Sequence, residues 1–338
     1  MRQVILKLQP LKVSRKLPFL HMTTKTEALP HRTTHRTIYL QLAVLIFIWA
    51  SNWPLTKTIL GDISAVGFTT VRFILSVPVL VGIVLLVKEP LLPLPGERLW
   101  LGIAGTLQVG GMLGFGTLAL QFVGPGRTAV LIYTMQLWAI VLGRLIIGER
   151  VRPQAIAGGL IGFAGMILFL NPKLVNWHDH RVILGNGFAL ASGFVWALGA
   201  CFYRRDKWQS PFWTQVFWQV SWSTVAMIAV ALIFPQHRPI IWTRPLLLIF
   251  GYNVFMGTVY CYWAWSKALT VLPVSRAGQI VSLVPVVAVT MSVMWSGEKL
   301  TRLSLLSIAL IMLGIVLTMR SKQPAAATLR DLSVCSEQ

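Results

Sequence analysis

Apolar and charged positions alternate along this chain on a long wavelength. Unbroken apolar runs occupy residues 38–56, 99–126, 153–172, 182–203, 245–266 and 277–297. A helix needs roughly 17–25 such residues to cross the hydrocarbon core of a bilayer. Adding the runs interrupted by a single charge predicts ten helices, at 37–60, 64–87, 98–121, 126–147, 152–172, 183–204, 210–234, 244–268, 272–297 and 300–320. Helices are predicted because an open strand would leave backbone N–H and C=O groups unpaired in lipid. The fold class expected is an all-α polytopic membrane protein, with connections too short for a soluble domain.

The pattern repeats. "LIIGERVRPQAIAGGLIGFAGMILFLNP", from Leu145, sets a charged hairpin between two apolar runs, and "VMWSGEKLTRLSLLSIALIMLGIVLTMR" does so again. A shift of 149 residues places Arg127 on Arg276, Gly148-Glu149-Arg150 on Gly297-Glu298-Lys299, Gly165 on Gly314 and Ala119-Leu120 on Ala268-Leu269. A shift of 147 places Trp49-Ala50 on Trp196-Ala197 and Lys57 on Arg204. The chain reads as two copies of a five-helix unit. Five is odd, so the second copy enters the membrane from the opposite side. Inverted repeats of this kind build secondary transporters with a site near the midplane. The expected organisation is a basic tail (1–36), a first unit (37–172), a connection (173–182), an inverted second unit (183–320) and a second tail (321–338).

Composition agrees: hydrophobic residues make up 55% and charged residues 12%, about half the charged share of a soluble domain. The net charge of +20 raises the question of nucleic acid, but its placement answers against it. Eight of the thirty Lys and Arg precede residue 37, and most others sit at helix ends, where they meet headgroups. With both tails counted inside, the inner segments hold 20 Lys and Arg and the outer loops eight, which predicts cytoplasmic termini. Residues 1–21 lack the apolar core of a signal peptide. They read as a solvated basic tail, a segment upstream of a start at Met22, or a transit peptide. Cys201, Cys261 and Cys335 have no metal or disulfide spacing, and the first two read as packing residues.

Four motifs in order carry a family resemblance: "FIWASNWPLTK" in helix 1, "TTVRFILS" in helix 2, "LIIGERV" closing helix 4 and "LVPVVAVTMSVMWSGEKL" in helix 9. Over residues 37 to 320 the chain resembles the drug/metabolite transporter superfamily, specifically its ten-helix EamA-type exporters of amino acids and other metabolites. The resemblance implies a small-molecule exporter of the inner or plasma membrane, working as a monomer or homodimer. In one respect the chain departs: the family usually has proline in the middle of helix 4, where this chain has Gln136 and retains only the repeat mate, Pro285.

Physical reasoning locates a site. A proline inside a helix frees a carbonyl and bends the axis, so Pro285 is expected to kink helix 9 toward the cavity. Gln279, Ser282 and Pro285 recur every three residues on one face; their mates on helix 4 are Val130, Tyr133 and Gln136. Polar groups at mid-bilayer are costly against lipid, so these should point inward, lining a cavity or holding helices together. Helix 8 is rich in aromatics, and Asn253, Tyr260 and Lys267 repeat at seven-residue spacing with Trp263 near. Tyr260 and Trp263 fall on Gly111 and Gly114 of helix 3 under the 149 shift, which reads as an aromatic pocket or as rings over a glycine groove. Asn52 and Trp53, in the helix 1 motif, and Gln108 in helix 3 are counted with the cavity residues. Arg72, well inside helix 2, is expected to pair with Glu298 in a structural or gating role, or to meet a substrate carboxylate. Glu149 and Glu298 read as hairpin residues, and Gly158, Gly162 and Gly165 as a close helix-packing face.

All ten acids lie outside mid-helix positions, and no histidine falls within a predicted helix. A proton relay or a buried cationic substrate calls for such groups, so a neutral or zwitterionic solute fits better than a cation exchanged for protons. An intramembrane enzyme lacks its base or metal ligands, and no Walker-type motif is present for an ATP motor. No cofactor and no metal are expected. Amino acids are the first choice of substrate; purines, riboflavin-like compounds or other metabolites suit the same lining, and a receptor or scaffold stands as the non-transport alternative.

Overall fold

The computed structural model describes residues 31–148, 151–170, 178–205, 208–234, 239–272, 277, 280–297 and 299–320, and among these there are helices and connections but no strand. In chain order the helices are α1 (His31–Thr58), α2 (Ala65–Leu86), α3 (Arg98–Phe122), α4 (Pro125–Ile147) and α5 (Pro153–Phe169). They continue as α6 (His180–Arg205), α7 (Phe212–Ile233), α8 (Arg244–Leu269), α9 (Val284–Ser296) and α10 (Arg302–Arg320). Seven of them, α1 to α4 and α6 to α8, are long and apolar enough to cross a membrane; α5, α9 and α10 are shorter apolar helices. The chain is a polytopic membrane protein.

Local chemistry sets the helix ends. Ser64 accepts from the Gly67 N–H at the start of α2, and Thr243 from the Leu246 N–H at the start of α8. Proline enters the first turn of α4, α5, α8 and α9, where its missing N–H costs nothing. The repeated hairpin motif closes α4 and α9 alike: Gly148 has φ 74° and Gly297 φ 64°, the left-handed conformation that a glycine adopts without strain. Glu149 and Glu298, which follow them, lie outside the described residues, as does Gln279.

Two expectations need correction. α1 begins at His31, six residues before its expected start, and α6 at His180, three before its own, so His31, His35 and His180 fall within helices after all, in their first turns. Helix 9 is not one continuous rod from 272. The chain turns at Ser282–Leu283, and Pro285 sits in the first turn of α9, just past that interruption. A ring with no N–H is easier to place where the helix begins than where its hydrogen-bond ladder must be interrupted.

Helix packing follows a paired pattern. α5 lies against α10, α2 against α7, and α4 against α9. The α1–α9 contact is matched by α6–α4, the α1–α8 contact by α6–α3, and the α2–α8 contact by α7–α3. In lipid, helices associate through close van der Waals approach rather than a hydrophobic drive, and glycines permit it. A Cβ on Gly158 would lie 2.8 Å from the Gly314 carbonyl, and one on Gly165 would lie 2.8 Å from the Ile311 nitrogen. The glycine face of α5 therefore meets α10 backbone to backbone. Gly111 and Gly114 of α3 receive Val195 of α6 and Met227 of α7, not the rings of Tyr260 and Trp263. The rings that do rest on glycines are Trp53 over Gly116 and Trp222 over Gly102, at 2.9 and 2.6 Å from where a Cβ would stand.

Candidate functional site

The helical ladder breaks at two equivalent places. In α4 the helix runs Pro125–Tyr133, turns at Thr134 and resumes as Met135–Leu142. The Thr134 and Leu137 N–H groups bond carbonyls only three residues back, at 3.3 and 2.8 Å, and the Thr134 hydroxyl donates to the Leu131 carbonyl at 2.6 Å. Before α9, Leu283 bonds the Ile280 carbonyl in the same three-residue way at 3.1 Å. Residues 134 and 283 are 149 apart. One break has a proline beyond it and the other has Gln136. α6 meets the α4 break through Gly193: a Cβ there would stand 2.6 Å from the Ile132 carbonyl oxygen and 3.3 Å from the Met135 nitrogen. Interrupted helices with backbone groups released near their breaks are where transporters of inverted-repeat type place their sites.

Around the α4–α9 contact the predicted residues distribute as follows. Tyr133, Ser282 and Pro285 are buried, and Gln136 is half-buried just beyond the α4 turn. Tyr260 and Trp263 are half-buried on α8, their rings 5.8 Å apart at a tilt of 46°. Gln108 lies in a π-helical stretch of α3, Thr106–Gly111, with its backbone against Gly199 of α6. Trp53 is 3% exposed and occupied by packing on Gly116. Asn52 is half-buried, and its Oδ1 has no hydrogen-bond partner among the described residues.

Several polar residues escaped the sequence reading. Gln41 Oε1 and Thr56 Oγ1 also lack partners among the described residues. With Asn52 they form a column on α1 at spacings of eleven and four, which puts them on one helix face; that spacing was a usable signal. Ser51 and the Tyr252 hydroxyl meet at 2.6 Å from opposite halves of the chain, a contact no local pattern announces. An unsatisfied buried acceptor costs about 1–3 kcal/mol, so a column of them needs a reason.

Arg72 is 6% exposed in α2. An arginine at mid-bilayer depth costs about 2.5–3.5 kcal/mol on the insertion scale. Glu298 lies outside the described residues; α2 packs chiefly on α3, α7 and α8, while α9 packs on α1 and α4. The electrostatic neighbours of Arg72 are Tyr262 and Cys261 of α8. The described acids, Asp62, Glu89, Glu97 and Asp179, all lie in connections. A groove of about 700 Å³ between α4 and α5 is lined by apolar residues with Arg144 and holds none of the predicted cavity residues.

The connections are tied at both ends of α2. At its start, the Asp62 carboxylate accepts from the Thr243 hydroxyl at 2.6 Å and its backbone carbonyl from the Ile241 N–H at 2.9 Å, joining the α1–α2 and α7–α8 connections. Past its end, Glu97 accepts from the Gln209 and Ser210 N–H groups and the Ser210 hydroxyl, and Glu89 accepts from the Thr214 N–H at 3.0 Å. Here the α2–α3 connection holds the start of α7, and a carboxylate at a helix N-terminus is favoured by the dipole. Partial burial pushes the Glu97 carboxyl up, but the hydrogen bonds from Gln209 and Ser210 outweigh it and hold it below its usual 4.5. A depressed carboxyl stabilises the fold above its unfolded value and stops doing so as pH falls through the folded one. Glu97→Gln should therefore destabilise the fold at pH 7, by on the order of 1 kcal/mol or less for a cap only partly buried. The difference from wild type should close below pH 4.5, read by thermal unfolding across pH.

Comparison with known proteins places this architecture. The profile of the EamA-like transporter family matches residues 36–171 and again residues 183–320. The chain is 24% identical over 280 residues to an uncharacterized transporter, YoaV, of Bacillus subtilis, covering 82% of this chain and 95% of that one. It is 25% identical to a probable amino-acid metabolite efflux pump of Escherichia coli, over 80% of this chain and 91% of that one. A pump of the same name from Salmonella typhimurium is 26% identical, with 82% and 92% covered. A solved crystal structure superposes with a TM-score of 0.57 at 18% identity, covering 90% of this chain and 99% of that one, and so shares the fold.

Proposed function

This chain belongs to the EamA-like transporter family, and from that premise we propose that it is a secondary exporter of small neutral or zwitterionic metabolites, amino acids foremost. It acts in the inner or plasma membrane with both termini cytoplasmic. Residues 37–172 and 183–320 are two inverted five-helix units that rock about a central site, giving alternating access. The paired breaks at Thr134 and Leu283 carry this reading. They stand at equivalent positions of the two units, and α4 lies against α9, so a rotation of one unit on the other turns about the broken segments. The Asp62–Thr243 and Glu97–Ser210 ties, at opposite ends of α2, are the gates that exchange.

The substrate class rests on three supports. Two relatives are named as probable amino-acid metabolite efflux pumps. The described acids all lie in connections, so no carboxylate among them stands in the helices to hold a cation. Amide and hydroxyl acceptors are buried without partners among the described residues, which suits a solute that brings its own donors. Purified protein in liposomes should support counterflow of one or more labelled L-amino acids above empty liposomes. Counterflow of purines or other metabolites with no amino acid moved would replace the substrate, and no flux of any solute would overturn the transport reading.

A further inference from the structure

One donor and one acceptor are left facing the same spot inside the bundle. α8 passes through a π-helical stretch, Tyr252–Tyr260, a distortion often found where a helix has a function. On it, Asn253 is fully buried, and its Nδ2 donates to the Ile249 carbonyl at 2.9 Å. That bond fixes which way the amide is turned, because only the NH₂ can donate. Its Oδ1 is therefore the atom left over, and it has no partner among the described residues. Gly257 lies one helical turn on. The position of a Cβ there is 3.4 Å from Arg72 Nη2, 3.7 Å from Asn253 Oδ1 and 3.9 Å from the Tyr252 carbonyl oxygen. Arg72 Nε likewise has no hydrogen-bond partner among the described residues.

We propose that Arg72 and Asn253, meeting at Gly257, form the head-group subsite for a zwitterionic α-amino acid. The guanidinium takes the carboxylate in a charge-assisted bond, and the Asn253 and Tyr252 carbonyl oxygens take the ammonium. The inference rests on the transport reading and deepens it by assigning the recognition chemistry. A donor and an acceptor left over within 4 Å of one point suit a ligand that carries both charges on one carbon. Glycine at 257 keeps that point open. The cation needs no protein carboxylate because the substrate supplies it.

The test uses the full chain in liposomes and the labelled L-amino acid it transports best. The competitors are that amino acid itself, its amide (which lacks the carboxylate) and its N-acetyl derivative (which lacks the ammonium). In wild type both derivatives should compete at least about tenfold more weakly than the parent, since a site built for a polar group rejects the analogue without it. In Arg72→Gln the gap between parent and amide should close to about twofold while the N-acetyl gap stays open; in Asn253→Leu the reverse should hold. Gly257→Ser, which fills the spot without removing either partner, should weaken the parent about tenfold or more; it keeps the idea testable if Arg72→Gln does not fold. Equal loss against all three competitors, as a purely structural Arg72–Asn253 contact would give, overturns the proposal, and so does unchanged selectivity in variants that transport. No counterflow by wild type would instead sink the transport reading itself.

Discussion

Gly314→Val should cost this protein its fold. A Cβ at Gly314 would stand 2.5 Å from the Cα and the nitrogen of Gly162 and 2.6 Å from the carbonyl oxygen of Gly158. All three are backbone atoms of α5, so no side chain can swing aside; the two helices must separate. Overpacking a core costs about 1–3 kcal/mol when side chains can adjust, and the cost here belongs above that range, a large share of the 5–15 kcal/mol that holds a domain together. Separating α5 from α10 also strips the contacts of Gly158 and Gly165, because all three glycines share the seam. The expected result is loss of the monodisperse peak in detergent and a melting temperature lowered by ten degrees or so, if any folded protein is recovered. Gly82→Ala is the control: nothing lies within 4 Å of its Cβ position in α2, and alanine in a helix is worth about 0.5–1 kcal/mol over glycine. Gly314→Val with a wild-type melting curve would mean that α5 and α10 do not pack as described.

Asn52→Leu should do the opposite to stability and nearly abolish transport. Asn52 carries an acceptor with no partner among the described residues, on the same face of α1 as Thr56, whose hydroxyl is also unpartnered. Replacing an unsatisfied polar group by an apolar one of similar size removes a cost of about 1–3 kcal/mol, so the melting temperature should hold or rise. If that acceptor serves the substrate, its loss withdraws a hydrogen bond the solute has given up water to make. Transport should fall by about tenfold or more. The pair of measurements is diagnostic, since damage to the fold lowers both. A lowered melting temperature with transport reduced in proportion would make Asn52 a structural residue.

Such trade-offs are visible only with the structure in hand, and the boundary between what was legible and what was not follows physical lines. Whatever depends on a residue and its near neighbours could be read. Apolar run length located the helices, because lipid forces each backbone to satisfy itself within its own segment. The α5 glycines announced a close seam, and Gly148 and Gly297 announced the ends of α4 and α9, because only glycine enters the left-handed region cheaply. The placement of every described acid in a connection follows from the cost of burying charge.

What the repeat arithmetic could not supply is contact. A shift of 149 residues says that Gly111 and Tyr260 are equivalent, and equivalence is a relation between halves rather than nearness in space. The glycine groove of α3 is filled from α6 and α7 by Val195 and Met227, helices that the shift does not mention. The break in α4 is the sharpest case. Sequence reasoning ties a break to proline, and Gln136 stands where one was expected, yet the ladder parts at Thr134 as it does at Leu283. There the threonine hydroxyl donates to a carbonyl of its own helix, and Gly193 brings the α6 backbone against the Ile132 carbonyl and the Met135 nitrogen. The composition of this chain therefore determined by itself that it lives in a membrane as bundled helices closed by glycine. Which helices touch, and so which polar atoms are left to face one another at Arg72, Asn253 and Asn52, was decided by tertiary packing, because a hydrogen bond is satisfied or orphaned by neighbours distant in the chain.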